Sequence, residues 1–202
     1  MRFSKPIFSG LISVLLMLTA KQLHAQKQRE YAILNSGDTV FCKMTRSIFG
    51  NISYTVNGGE STRLRPDAVK EYFFRKDKTP FVSKKLPNGD LEFLALLERG
   101  KINLYELSYQ TAGSAGGPGG GGYMGGSSCF YYVQKKDSDS LYLIKSTSLI
   151  NKNSPKERRA YFAEPIEDDE ELHNKFHSKN SYSFKNLRQT INLYNKRSHI
   201  TH

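Results

Sequence analysis

From Tyr31 to Leu149 the chain alternates short apolar runs with turn residues, the period-two pattern of half-buried β-strands. Residues 31–35 and 39–45 flank Ser36-Gly37-Asp38 and predict a hairpin in which Val40, Cys42 and Met44 share the apolar side. Phe49-Gly50-Asn51 marks a second reversal ahead of a strand over 52–56, which Asn57-Gly58-Gly59 closes. Glu71 to Arg75 is dense in aromatics, and Pro87-Asn88-Gly89-Asp90 turns the chain into a strand over 91–97.

The middle strands are apolar on both sides. Leu91, Phe93, Ala95 and Leu97 point one way while Leu94 and Leu96 point the other, and Ile102 and Leu104 likewise oppose Tyr105 and Leu107. Such strands are covered on both faces. One face is expected against the other half of a barrel or sandwich, the second against helices. Residues 112–128 (AGSAGGPGGGGYMGGSS) join a strand over 101–109 to one over 129–136. A phosphate-binding loop needs a lysine and a hydroxyl after its last glycine and then a helix. Here Ser127-Ser128-Cys129 leads into an aromatic strand, so the segment reads as a long flexible hairpin tip, with Tyr123 and Met124 free to dock.

After Ser148 the period changes to that of helices. Ser154-Pro155-Lys156-Glu157 combines an N-cap serine, a proline at the first helical position and a glutamate three after the cap. Asp168 and Asp169 put negative charge at the start of a second helix that runs through Ser178. Ser183 can cap a third, along which Phe184, Leu187, Ile191 and Tyr194 recur at helical spacing, and residues 197–202 read as a frayed tail.

The start of the chain has a different character. Arg2 and Lys5 precede an uncharged apolar run over residues 7–20, and Leu23-His24-Ala25 then stands before Gln26. This order predicts a secretory signal peptide over residues 1–25. The run is short of the ~20 residues that a membrane span needs. Leu23 is an imperfect residue for the cleavage site, so an uncleaved anchor is the other reading. No cysteine follows the cut to carry a lipid, and once it is made no transmembrane span remains. The expected location is the periplasm or cell envelope. The expected architecture is α+β: an antiparallel β barrel or sandwich over residues 26–149, then about three C-terminal helices within 150–202 packed on the sheet.

Charge adds a direction to this picture. The chain carries 30 Lys and Arg against 19 Asp and Glu, a net charge of +11, of which Arg2, Lys5 and Lys21 lie in the signal segment and leave +8 beyond it. A basic exported protein fits an anionic envelope component such as lipopolysaccharide or acidic glycan, or an acidic protein, if its cations cluster on one face. The compartment argues against nucleic acid.

Candidate chemistry is sparse. Cys42 and Cys129 can pair in an oxidising compartment or stay as buried thiols, and spacing alone does not choose between them. His173 and His177 lie four apart on one helical face, with Asp169 one turn earlier, and three such ligands could hold Zn²⁺. The intervening Asn174-Lys175-Phe176 lacks the glutamate of a metalloprotease motif, and the stripe flanks apolar Leu172 and Phe176, where polar residues are expected anyway. No nucleophile elbow is present and no cofactor is called for.

Tyr31-Ala32-Ile33-Leu34-Asn35-Ser36-Gly37-Asp38-Thr39, Phe93-Leu94, Gly100-Lys101-Ile102-Asn103-Leu104-Tyr105 and the closing Leu193-Tyr194-Asn195 carry a further likeness. In these the chain resembles small exported proteins of unknown function from Bacteroidota-type bacteria. The resemblance implies a β-rich domain followed by helices and assigns no catalytic residue. Some of those proteins have Asp-Cys-Pro where this chain has Ala163-Glu164-Pro165, so a shared disulfide pattern is not implied. The function expected is a non-enzymatic binding or assembly role at the envelope, and the alternative is a hydrolase or metal-dependent enzyme using His173 and His177.

Overall fold

The computed structural model describes residues 29–48, 50–110, 126–147, 154–178 and 182–197. The expected signal peptide, most of the glycine-rich loop and the tail after Arg197 lie outside these residues. Eleven described strands come first: β1 (Tyr31–Leu34), β2 (Thr39–Phe41), β3 (Lys43–Arg46), β4 (Ile52–Thr55), β5 (Ser61–Arg63), β6 (Val69–Phe73), β7 (Pro80–Lys85), β8 (Leu91–Glu98), β9 (Ile102–Gln110), β10 (Ser127–Lys135) and β11 (Tyr142–Ser146). Three described helices follow: α1 (Pro155–Ala163), which runs into a 3₁₀ turn at Glu164–Ile166, then α2 (Glu170–Ser178) and α3 (Phe184–Arg197).

All described strand pairs are antiparallel. They form an eight-stranded sheet in the order β11-β10-β9-β8-β7-β6-β1-β2 and a three-stranded sheet in the order β3-β4-β5. The large sheet does not close, because β11 and β2 are both edges. Of the two architectures expected, the barrel gives way to a sandwich-like α+β arrangement.

The single strand expected over 39–45 is two strands in two sheets, parted at Cys42. Glu30 holds the bend: its Oε2 accepts from the Met44 amide at 2.7 Å and its backbone carbonyl from the Cys42 amide at 3.2 Å. Side-chain alternation runs unbroken across the bend, which hides it from the hydrophobic pattern. The glycine-rich segment is also shorter than expected at its C-terminal end. Ser127 and Ser128 belong to β10 and pair with Gln110 and Tyr109, since backbone pairing needs no bulky side chain.

Layering departs from expectation too. Register places Ala32, Tyr72, Phe81 and Ala95 on one face of the large sheet. The same face carries two cores. Ala32, Met44, Leu64, Val69, Tyr72 and Phe74 lie beneath the three-stranded sheet. Ile102, Leu104, Val133 and Ile144 lie beneath the helices, packed on Phe162, Ile166, Leu187 and Ile191. The small sheet and the helices therefore sit side by side over one face rather than on opposite faces.

The opposite face of β7–β10 buries Val82, Leu94, Leu96, Tyr105, Leu107 and Tyr132, a cluster that draws no residue from the helices. Leu94 is 0% and Tyr105 2% exposed, so the middle of this side is shielded from water. The sheet achieves this by curling. Lys84 on β7 donates to Gln134 Oε1 on β10 at 2.7 Å, although two strands lie between them. On a flat sheet the two strands would stand about 14 Å apart.

Candidate functional site

The helical end is braced by side chains at and near its helix termini. Ser154 and Glu157 complete a capping box on α1, with Ser154 Oγ accepting from the Glu157 amide at 3.2 Å and Glu157 Oε2 from the Ser154 amide at 2.7 Å. Asp169 Oδ1 caps α2 by accepting from the Leu172 amide at 3.0 Å, and Ser183 Oγ caps α3 by accepting from the Asn186 amide at 3.2 Å. Arg197, at the far end of α3, reaches Asp169 at 3.2 Å and Glu171 at 2.9 Å. The Tyr194 hydroxyl lies 2.8 Å from both oxygens of Asp168. Burial, and then the hydrogen bond to that carboxylate, push its pKa up, so it stays protonated. The Tyr182 hydroxyl stands 2.7 Å from the Ile144 carbonyl and 2.8 Å from that of Arg158, joining β11 to α1.

Between α2 and α3 this framework leaves a cleft of about 540 Å³. Leu172, Phe176 and Leu193 give it an apolar wall, and Leu193 is 41% exposed. Lys175, Lys185, Arg188 and Glu98 bring charge to it. Glu98 is already satisfied: Oε1 accepts from Arg188 Nε at 2.6 Å and Oε2 from Asn192 Nδ2 at 3.3 Å. Lys175 and Lys185 are exposed and form no ion pair among the described residues. Lys185 sits in the first turn of α3, which holds no acidic residue. A cation there opposes the helix dipole, and the peptide N–H groups at that end add to the positive potential. The mouth of the cleft is electropositive over an apolar wall. Arranged so, it can hold an anionic group and a short apolar body together.

No protein-family model, no curated protein and no solved structure matches the chain. No described helix is long and apolar enough to cross a membrane.

The residues singled out from the sequence fall elsewhere. His173 and His177 stand on the flank of α2 away from Lys175, with their Nε2 atoms 3.2 Å apart, and neither lines the cleft. Asp169 does not join them, because capping α2 and pairing with Arg197 occupy its carboxylate. Among the described residues no group of three or more His, Cys, Asp or Glu could hold a metal ion. Cys42 and Cys129 are free thiols. Cys42 lies just past edge strand β2 and Cys129 on β10, with β2 and β10 six strand positions apart in the large sheet, so the pairing left open by the sequence is not formed. Cys42 opens on a second cleft of about 500 Å³ beside Glu30 and Arg75. Burial, with the Glu30 carboxylate adding to it, pushes its thiol up to about 11, which keeps it from acting as a thiolate at neutral pH.

A polar cluster on the curled face was not legible beforehand. Glu71, 8% exposed, accepts from the Tyr31 hydroxyl at 2.8 Å and from Arg99 at 2.7 Å. Lys84 lies 5.2 Å from the centre of the Tyr105 ring while donating to Gln134. Burial, then the nearby Lys70, lower its pKa. Burial also pushes Tyr31 and Tyr105 up to about 12. Each carboxylate and amine here has a partner, so the cluster reads as a satisfied internal network rather than an open site. Strands that alternate regularly give no signal for it, since the partners meet only when the sheet curls.

Proposed function

We propose that this chain is an exported, non-enzymatic binding protein of the bacterial cell envelope. In this reading the α2–α3 cleft takes hold of an anionic amphiphile belonging to that envelope. The observation that carries the reading is the pair Lys175 and Lys185, exposed and without an ion pair among the described residues, at the mouth of a cleft walled by Leu172, Phe176 and Leu193. An anionic headgroup would find two cations and the N-terminal end of α3, while its apolar portion would cover the exposed Leu193. The charge of +8 beyond the signal segment supports the same direction by favouring encounter with anionic surfaces.

Co-sedimentation with vesicles tests the proposal. The full-length or processed protein is expected to pellet with vesicles containing phosphatidylglycerol and to stay in solution with pure phosphatidylcholine. Raising the salt should release it, because exposed charges separated by more than about 8 Å are screened at physiological ionic strength. Equal binding to both vesicles, or to neither, would contradict it. Export is tested separately by N-terminal sequencing of the protein from the envelope fraction, where a chain beginning at Gln26 is expected and an intact Met1 in the cytoplasm would refute the assignment.

A further inference from the structure

We infer that His173 and His177 form a solvent-accessible two-histidine chelate for a late first-row divalent ion, with Cu²⁺ preferred over Ni²⁺ and Zn²⁺. This site is independent of the α2–α3 cleft and of any ligand held there. The two Nε2 atoms stand 3.2 Å apart, with the rings 4.4 Å between centres and inclined at 62°. An imidazole nitrogen binds these ions at about 2.0–2.1 Å, so two nitrogens on one ion at angles of 90–110° are separated by about 2.8–3.4 Å. The observed spacing falls inside that window.

The backbone beneath the pair is fixed from several sides. Asp169 caps the start of α2, and Leu172 and Phe176 are buried one position before each histidine. Arg159 on α1 donates to the carbonyls of Phe176 and His177 at 3.2 Å each. In the metal-free protein one imidazole donates to the other, and that contact holds the two Nε2 atoms at chelating distance. Less freedom is then lost when an ion takes the place between the two nitrogens, which is what preorganisation contributes to affinity. The donor ring's hydrogen moves to its Nδ1, both imidazoles binding in the neutral form.

The donor set selects the ion. Two imidazole nitrogens with no carboxylate disfavour Ca²⁺ and Mg²⁺, which need oxygen ligands. For divalent ions on nitrogen donors the affinity order rises to Cu²⁺ and falls again at Zn²⁺. No third protein ligand is at hand among the described residues, since Asp169 is engaged with Arg197 and the α2 N-terminus. The remaining coordination positions belong to water, so the ion exchanges freely and is not required for the fold.

The test titrates Ni²⁺ and Cu²⁺ into full-length protein stripped of metal, by calorimetry and, for Cu²⁺, by electron paramagnetic resonance. Ni²⁺ serves as the probe that leaves Cys42 and Cys129 unoxidised. The wild type is expected to bind one ion at this site, with a spectrum showing two nitrogen ligands. Affinity should fall at least tenfold in His173→Gln and in His177→Gln, which preserve side-chain size and helicity. A His177→Ala, Ser178→His variant keeps the number of histidines but breaks their spacing, and it should bind as weakly as the single variants. His199→Asn with His202→Asn should leave the site unaffected. Affinity unchanged by the His173 and His177 substitutions, or lost only on changing His199 and His202, would overturn the inference. Circular dichroism on each variant separates loss of the site from loss of the fold.

Discussion

The side chain of Asn195 pairs with both backbone polar groups of Ile102, accepting from its amide at 2.9 Å and donating to its carbonyl at 2.9 Å. A residue on the last helix thus completes the start of β9 across 93 positions of sequence. Asn195 is 7% exposed and Ile102 1%, so no water replaces these bonds if they are lost. Gly100 lies against the same carboxamide, and a Cβ there would fall on the Asn195 side chain. The pair couples the helical end to the sheet, and the orientation of α3, hence the cleft, depends on it.

Replacing Asn195 by Leu should therefore cost more than its modest change in size suggests. An unpaired buried amide or carbonyl costs about 1–3 kcal/mol. For a domain of this size that lowers Tm by roughly 2–4 °C per kcal/mol. Gly100→Ala should be destabilising too, because its Cβ would displace Asn195. Thermal unfolding followed by circular dichroism checks both, and an unchanged Tm in either variant would contradict the role given to this contact.

Much of the frame was legible because local chemistry dictates it. The capping box at Ser154, the caps at Asp169 and Ser183 and the turns at Gly37, Gly58 and Gly89, all at positive φ, follow from residues within a few positions of one another. The exchange of sheets at Cys42 was not legible, since Val40, Cys42 and Met44 keep a regular alternation through it. Nor was the cleft. Lys175 and Lys185 stand on different helices, and their meeting depends on how α2 and α3 pack. The histidine pair was recognisable from its spacing, whereas the separation of Asp169 from it was not, because Arg197 competes for that carboxylate from the other end of α3.

Stability should fall as pH rises above the ordinary tyrosine pKa. Tyr31, Tyr105 and Tyr131 are each pushed from 10.0 up to about 12, with burial the largest cause. A pKa raised in the folded state means that the folded protein holds a proton the unfolded chain releases. Their contribution is complete below pH 10 and is lost as pH rises towards 12. Tyrosinate absorbance and circular dichroism recorded together should show these hydroxyls ionising as the fold is lost. Ionisation of all the tyrosines near pH 10 with the fold intact would argue against this.

Cys42 should be a slow thiol. In a Cys129→Ser background its alkylation at neutral pH is expected to lag well behind that of the unfolded chain and to accelerate as pH approaches 11. Rates equal to those of the denatured protein would mean that burial and Glu30 do not act on it.

Removing the two histidines should leave the fold almost untouched. His173→Ala with His177→Ala changes one flank of α2 without opening the Leu172 and Phe176 core, so the cost should stay within about 0.5 kcal/mol, as for ordinary surface substitutions. Urea denaturation measures it. A loss of several kcal/mol would show that the pair supports the structure rather than standing on its surface.

The binding role of the α2–α3 cleft is tested most directly by a reporter placed in it. Leu193→Cys, in a background with Cys42→Ser and Cys129→Ser, carries a polarity-sensitive fluorophore at the exposed apolar wall. Phosphatidylglycerol vesicles should shift its emission to the blue, phosphatidylcholine vesicles should not, and adding Lys175→Glu and Lys185→Glu should abolish the shift. Vesicle binding that leaves the fluorophore unchanged, or a shift that survives both charge reversals, would contradict the account.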